Sequence, residues 1–197
     1  MANPSICAEL DGEIDLSCAR TLVKKYFQEA VIINLSDIDR TASVVNLDDG
    51  ATCDYTVEMV LKAGKKGVMI KLPENGGTIK GTVNKTTSDL GMVQYVHATQ
   101  IFLAGITTAI KCALDKLDRG RYAVALQATD GTVEIYGFYN GMTTGDYTWD
   151  LVEGGGATVI PIQSKEDEQE SLLPLIYKSG TLNGENADFN EQFAQTV

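Results

Sequence analysis

The only histidine in this chain is His97, and histidine is the side chain best suited to moving protons near neutral pH. A nucleophilic site built on His97 would need a partner, and Cys53 and Cys112 are the candidate thiols. Neither cysteine lies in a sequence context typical of a catalytic nucleophile. His97 shares one face of an alternating, strand-like segment with Thr99 and Ile101. We therefore interpret His97 as a structural residue and expect no catalytic site; an enzyme that uses His97 remains an alternative.

The other polar residues do not indicate a metal or cofactor site. The four cysteines are widely spaced and lack the Cys-x-x-Cys pattern of zinc sites. The glycine-rich stretches 76–77 and 154–156 lack the Lys-Ser/Thr ending of a phosphate loop. Several acidic groups are interpreted as solvated turn residues. They are Asp37 with Asp39, Asp48 with Asp49, and the cluster Glu166, Asp167, Glu168 and Glu170. We expect neither a metal nor a cofactor.

Negative charge is distributed unevenly along the chain. Its 27 acidic and 16 basic residues give a formal net charge of −11. Residues 130–197 hold 12 acids and 2 bases, so nearly all of the excess lies in the last third. Gripping DNA phosphates or an anionic membrane requires clustered lysine and arginine, so neither function is expected.

Length and hydropathy indicate one domain. A chain of 197 residues is long enough to bury a hydrophobic core without disulfides. We assign residues 1–180 to a single domain and the polar residues 181–197 to a C-terminal tail. No apolar run approaches the roughly 18 residues of a membrane helix, and the first residues lack the features of a secretion signal. A membrane location is therefore not expected.

Helical periodicity occurs in two segments. After Ser17, apolar residues recur at helical spacing as far as Ala30, which predicts an N-terminal helix. A second helix is predicted at about 106–118, with Thr107 or Thr108 as its N-cap. The remaining segments show no comparable pattern, so helices are a minor part of the predicted structure.

Most of the chain alternates apolar and polar residues as β-strands do. Strands are predicted at 31–35, 52–61, 68–72, 78–83, 92–103, 122–128, 133–139, 159–163 and 172–177. Pro161 and Pro174 favour edge positions for the last two, and 84–91 is predicted as a loop. The order of elements predicts a mostly β (α+β) fold, a sandwich or barrel with one flanking helix.

Lysines are concentrated on two predicted hairpins. They are Lys62, Lys65, Lys66, Lys71, Lys80 and Lys85. This basic region could bind the acidic last third of a neighbouring copy. It could equally be a charged sheet edge that resists aggregation.

Three parts of the chain resemble the tail tube (major tail) proteins of tailed bacteriophages. The first comprises LSC at 16–18 and IINLSDI at 32–38. The second is QYVHATQIFL at 94–103, which runs into the predicted helix. The third is the hairpin formed by YAVALQ at 122–127, DG at 130–131 and VEIYGFYNG at 133–141. Together these segments cover somewhat over a third of the chain.

The resemblance implies a β-sandwich with a flanking helix, similar to the type VI secretion tube protein, and no catalytic site. It implies hexameric rings that stack into a tail tube, through which genomic DNA passes during ejection. The partners would be further copies of the chain, other phage tail or neck proteins, and DNA bound without sequence specificity. The chain would be made in the host cytoplasm and located in the virion. An acidic lumen would repel the DNA phosphates.

Candidate contacts between subunits or rings follow from this expectation. The loop 73–91 could reach the next ring, and the Asp130-Gly131 turn could meet a neighbouring subunit. The candidate contact residues are Lys65, Lys66, Pro73, Asn75, Gly76, Gly77, Lys80, Asp130 and Gly131.

Two other functions remain open from the sequence. One is a different phage structural protein, such as a head–tail connector (neck) ring or a capsid-associated protein. The other is a carbohydrate-binding β-sandwich, in which aromatic side chains form a sugar platform. The aromatic candidates for that platform are Tyr136, Phe138, Tyr147 and Trp149.

Overall fold

The computed structural model describes residues 26–47, 55–71, 79–88, 91–105, 107–128, 132–150 and 156–178. Within these ranges the chain forms two β-sheets and one α-helix. The prediction of a mostly β fold with one helix is therefore confirmed. The barrel alternative is wrong, because both described sheets are open, with a strand at each end. The predicted tail at 181–197 lies outside the described residues.

The elements follow one another along the chain as β1 to β11, with the helix α1 between β6 and β7. The first six strands are β1 (Tyr26–Asn34), β2 (Val44–Asn46), β3 (Thr56–Glu58), β4 (Val68–Lys71), β5 (Lys80–Thr87) and β6 (Val93–Ala104). Then come α1 (Thr108–Leu117), β7 (Tyr122–Ala128), β8 (Val133–Tyr136), β9 (Thr143–Thr144), β10 (Ala157–Gln163) and β11 (Leu175–Tyr177). A short 3-10 helix, Leu35–Asp37, follows β1 directly.

Seven strands form the larger sheet, in the order β2-β3-β11-β8-β7-β1-β4. Its pairs are antiparallel except for β3 and β11, which run parallel. The smaller sheet has the order β5-β6-β10-β9 and is antiparallel throughout. The hairpin predicted around 130–131 is consistent with the antiparallel pairing of β7 and β8, although Asp130 and Gly131 lie outside the described residues.

Two hydrophobic clusters lie on opposite faces of the larger sheet. One contains Val31, Ala125 and Ile135, at neighbouring positions on three adjacent strands. The other contains Leu126 from the larger sheet and Ile160 from the smaller sheet, so this cluster joins the two sheets. Since β7 is central and covered on both faces, all seven of its residues are buried. The predicted polar face of this strand is therefore absent.

The predicted N-terminal helix is wrong over its second half, because Tyr26–Asn34 is β1. The four residues 30–33 are all buried, since β1 lies between β7 and β4 with a hydrophobic cluster on each face. The strand predicted at 31–35 is therefore confirmed over 31–34, and the prediction placed only its start too late. Residues 1–25 lie outside the described residues.

The predicted internal helix is confirmed as α1. The Thr107 side chain accepts a hydrogen bond from the Ile110 backbone N–H at 3.2 Å, so Thr107 and not Thr108 is the N-cap. The apolar side of the helix, with Leu114 and Leu117, packs on the cluster between the sheets.

Several strand boundaries differ from the prediction. Residues 84–87, predicted as loop, continue β5 and pair with β6. The strand predicted at 52–61 is described only as β3, and Tyr55 before it has a left-handed φ of 49° that interrupts extended backbone.

The two prolines do not lie in edge strands. β10 lies between β6 and β9, and the Pro161 carbonyl accepts the Gly145 N–H at 2.9 Å on the β9 side. The nitrogen of a strand residue points to the same side as its carbonyl, so the N–H that proline lacks would also have pointed towards β9. The hydrogen bonds between β10 and β6 are therefore complete. Pro174 comes directly before β11, which lies between β3 and β8. It is therefore not part of the hydrogen-bond ladder of β11.

Candidate functional site

The candidate contact lysines lie at the edges of two different sheets. Lys65 and Lys66 precede β4, the edge strand of the larger sheet, whereas Lys80 begins β5, the edge strand of the smaller sheet. The Lys65 ammonium lies 3.4 Å from Asp37 Oδ1, while Lys66 and Lys80 are exposed. The other candidate contacts lie outside the described residues. They are Pro73, Asn75, Gly76, Gly77, Asp130 and Gly131.

The smaller sheet has one long basic edge. All eight residues of β5 pair with β6, and among the described strands β5 has no second neighbour. Lys80 and Lys85 are exposed on this strand, which has no acidic residue. A row of unpaired backbone groups with lysines beside it is a surface that a further strand can join.

The opposite edge of the same sheet is short and acidic. The two residues of β9 pair with β10 on one side. The Asp118 carboxylate accepts a 2.9 Å hydrogen bond from Thr144 Oγ1 in β9, and the exposed Asp146 follows two residues later. The two edges of the smaller sheet therefore carry charges of opposite sign, an arrangement that strand patterns alone did not reveal.

The face of the smaller sheet that is turned away from the hydrophobic cluster has no acidic residue and mixes polar side chains with apolar ones such as the exposed Val159. Two cross-strand rows define it: Lys80, Gln100 and Pro161 in one, and Thr82, Ala98 and Gln163 in the other. None of the four strands contains an aspartate or glutamate. This surface is therefore nearly neutral.

His97 lies in the middle of β6, and its ring contacts the segments that follow β8 and β10. Only 2% of its surface is exposed. Its Nδ1 accepts the Gly137 N–H at 3.0 Å, and its Nε2 donates to the Leu172 carbonyl at 2.9 Å. Burial lowers the pKa of His97 to about 4, so the ring is neutral at physiological pH. Both nitrogens are held by backbone groups, as expected for a structural residue.

The thiols proposed as partners of His97 do not form such a site in the described part of the chain. Cys112 is exposed on α1, and the ring nitrogens of His97 contact other groups. Cys53 lies outside the described residues.

Glu170 is the main feature that the sequence interpretation missed. It was assigned to a solvated turn, yet only 1% of its surface is exposed. Its carboxylate accepts the backbone N–H groups of Tyr139, Asn140 and Gly141 at 3.2, 2.8 and 3.2 Å. Burial raises the pKa of Glu170, while the three donors and the Arg40 charge oppose that rise. Glu170 thus holds the loop 137–141.

Two arginines fix the same loop from outside. Arg40 donates to the Phe138 carbonyl, and its guanidinium lies 4.3 Å from the centroid of the Phe138 ring. Arg121 donates to the Asn140 carbonyl at 3.3 Å and forms an ion pair with Glu168. These contacts join residues distant in sequence, so no local motif could have predicted them.

The acidic cluster at 166–170 therefore separates into two pairs with different environments. Glu168 and Glu170 bind within the chain, to Arg121 and to loop 137–141. Glu166 and Asp167 are exposed, as predicted for solvated turn residues.

Two of the surface clefts are lined by described residues. The larger has a volume of about 540 Å³ and is lined by Asn34, Leu35, Ser36, Arg40, Gly120, Arg121 and Tyr139. The smaller has a volume of about 290 Å³ and is lined by Lys111, Leu114, Asp115, Asp118, Tyr147 and Trp149. Arg40 and Arg121, which border the larger cleft, already form hydrogen bonds or ion pairs with other residues of the chain.

The predicted four-residue aromatic platform is wrong in part. Tyr136 and Phe138 are each only 3% exposed and belong to hydrophobic clusters. Tyr147 and Trp149 lie together in the smaller cleft. Two of the four candidates therefore share a surface.

Among the described residues, no group of three or more His, Cys, Asp or Glu side chains could hold a metal ion. The described helix is too short and too polar to cross a membrane. No protein-family model, curated protein or solved structure matches this chain.

Proposed function

We propose that this chain is a structural protein of a phage virion, whose copies join through the edges of the smaller sheet into hexameric rings. The rings would stack into a tail tube, the conduit for genomic DNA during ejection. The resemblance in three segments of the sequence supports the phage assignment, the sixfold closure and the stacking. The sheet edges support the mode of contact.

The observation that carries the proposal is the opposite charge of the two edges of one sheet. β5 presents Lys80 and Lys85, whereas the β9 edge carries Asp118 and Asp146. An edge that complements a different edge of the next copy makes a head-to-tail contact, and such contacts close into rings when the rotation permits. Pairing the edges would also remove exposed strand edges.

The proposed lumen lining differs from the sequence expectation. If the smaller sheets join around the ring with their free faces inward, the lining includes Lys80, Gln100 and Gln163 and lacks the acidic residues expected from the last third. With Lys80 as the one charged residue of these rows, the lining offers few charges to bind phosphate, so DNA could still slide past it. The acidic lumen is therefore not part of this proposal.

A connector ring is the second candidate from the same class. It would use the same edges but would stop at one ring. Negative-stain electron microscopy at rising protein concentration separates the two, since a tube protein stacks into long tubes.

Charge reversal at the two edges tests the contact. We expect the double change Lys80→Glu with Lys85→Glu to abolish rings and tubes and to leave a folded, dispersed chain in sedimentation velocity. A matched control, Lys62→Glu with Lys165→Glu, changes the charge equally at exposed lysines outside β5, β9 and α1. Assembly of the original chain should weaken as salt rises, because exposed charge pairs are screened.

Rescue provides the decisive comparison. Asp146→Lys alone should weaken assembly, and combining it with Lys85→Glu should restore part of it by reversing both partners. A chain that remains monomeric at every concentration and salt condition, or a control that disrupts assembly as much as the β5 variant, would contradict the proposal.

A further inference from the structure

The smaller cleft, between α1 and residues 147–149, combines an aromatic wall with hydrogen-bonding side chains. Tyr147 and Trp149 line it, together with Lys111 and Asp115 from exposed positions of α1. Its volume of about 290 Å³ is near the lower limit of about 300 Å³ for small-molecule sites. The cleft therefore suits a compact ligand of about one ring.

One wall of this cleft is held in place by Asp118. The Tyr147 hydroxyl donates to Asp118 Oδ2 at 2.8 Å, and Thr144 Oγ1 donates to Asp118 Oδ1 at 2.9 Å. Burial, together with the bond to Asp118, raises the pKa of Tyr147 to about 12, so its hydroxyl stays protonated. Because the Tyr147 ring is already held, ordering it on binding costs little entropy.

The charges of the cleft favour a neutral ligand. Its single lysine is outnumbered by Asp115 and Asp118, which disfavours an anion such as phosphate. A cation would have to compete with existing partners, because Asp115 forms an ion pair with Arg119 at 2.7 Å and Asp118 binds two hydroxyls. A ligand with hydroxyl groups can accept from the lysine and donate to the carboxylates.

We propose that this cleft binds a neutral saccharide, with one sugar ring against Trp149 and its hydroxyls on Lys111 and Asp115. The apolar face of a sugar ring matches the face of an indole, and its hydroxyls match the mixed donors and acceptors of α1. The site lies within one chain; because Asp118 also belongs to the β9 edge of the proposed ring contact, the saccharide is proposed to bind the dispersed chain.

The single tryptophan of the chain provides a direct signal, because all indole fluorescence comes from Trp149. The dispersed chain is titrated with glucose, galactose, mannose and N-acetylglucosamine, each into the tens of millimolar, and with inorganic phosphate as a charged comparison. We expect a saturable fluorescence change with at least one sugar, at a Kd of about 1 mM.

Variants at exposed positions of α1 test the contacts without touching the core. Asp115→Asn and Lys111→Gln should each weaken sugar binding about tenfold. Lys116→Gln, on the same helix but outside the cleft, should bind as the original chain does. Circular dichroism confirms that each variant is folded.

Each outcome decides the inference. A saturable sugar signal that the cleft variants lose and the Lys116→Gln control keeps supports it. No response to any of the four sugars, a response to phosphate instead, or equal binding by all variants overturns it. These titrations use dispersed protein, so failure of ring assembly leaves their interpretation unchanged.

Discussion

The backbone N–H of Gly137 donates a 3.0 Å hydrogen bond to Nδ1 of His97, and so joins the larger sheet to the smaller one. Gly137 directly follows β8, whereas His97 lies in the middle of β6. Because Nδ1 is an acceptor here, Nε2 carries the proton that binds the Leu172 carbonyl. A second proton on this ring would replace that acceptor with a donor and break the link between the sheets.

Acid should therefore destabilise the fold through His97. Its pKa is about 4 when folded and 6.5 when unfolded, so the unfolded chain binds the proton more readily between these values. The contribution of His97 to the free energy of unfolding is complete above pH 6.5 and is lost as the pH falls towards 4. We expect a loss of about 3 kcal/mol, measured by urea denaturation at a series of pH values.

Comparison with His97→Asn isolates this effect. Asparagine retains an acceptor for the Gly137 N–H but does not titrate, so the variant should be less stable at neutral pH and lose less stability on acidification. The pH dependence from Glu170 runs in the opposite direction, because folding raises the pKa of this carboxyl. Its contribution to the free energy of unfolding therefore increases as the pH falls through the raised pKa. Since both chains keep Glu170, the difference between their pH curves reports on His97; parallel curves would refute the assignment.

Removing the Glu170 carboxylate should release the loop 137–141. Glu170→Ala leaves three backbone N–H groups without their shared acceptor and removes the negative charge that faces Arg40, which should cost about 3 kcal/mol of unfolding free energy. The control is Glu166→Ala, an exposed acid in the same segment, which should change stability by less than about 0.5 kcal/mol. Equal effects in a denaturant titration would show that burial of Glu170 is unimportant.

The N-cap of α1 can be tested with two adjacent threonines. Thr107→Ala removes the acceptor for the Ile110 N–H and should lower the unfolding free energy by about 1 kcal/mol. Thr108→Ala is in the first turn of the helix, where alanine has the higher helix propensity, so it should be neutral or slightly stabilising. Thermal denaturation of both variants distinguishes the cap from its neighbour, and the reverse order would assign the cap to Thr108.

Close approach of the two sheets explains why position 81 is glycine. A Cβ atom at Gly81 would lie 2.5 Å from Tyr136 Cζ and 3.0 Å from Leu126 Cδ1, both in the larger sheet. We expect Gly81→Ala to destabilise the chain by about 2 kcal/mol, because the buried ring must move. Thr82→Ala changes the next residue of β5, which is exposed, and should have an effect several times smaller in the same denaturation assay.

Local sequence patterns predicted those elements that bury one face. The spacing of Ile110, Leu114 and Leu117 predicted α1, and the alternation of 92–103 predicted β6 almost to its ends. In each case the residue pattern repeats with the period of the element, since one side contacts the core and the other meets solvent.

The pattern failed where a strand is covered on both sides. The start of β1, from Tyr26 to Ala30, was predicted as the end of a helix, and the alternation predicted for 122–128 gives way to a β7 that is buried throughout. Both strands lie inside the seven-stranded sheet between two hydrophobic clusters, so their burial depends on strand order. The positions of Pro161 and Pro174 were misjudged for the same reason, because an edge is a property of the whole sheet.

The sequence by itself determined the mostly β composition, the single described helix and the uneven charge. Only the tertiary structure decided that Glu170 is buried beneath loop 137–141, and that Tyr147 and Trp149 share a cleft while Tyr136 and Phe138 do not. It also decided that Lys80 and Asp146 mark opposite edges of one sheet. Local preferences act over a few residues, whereas these relationships join segments tens of residues apart through strand pairing and packing.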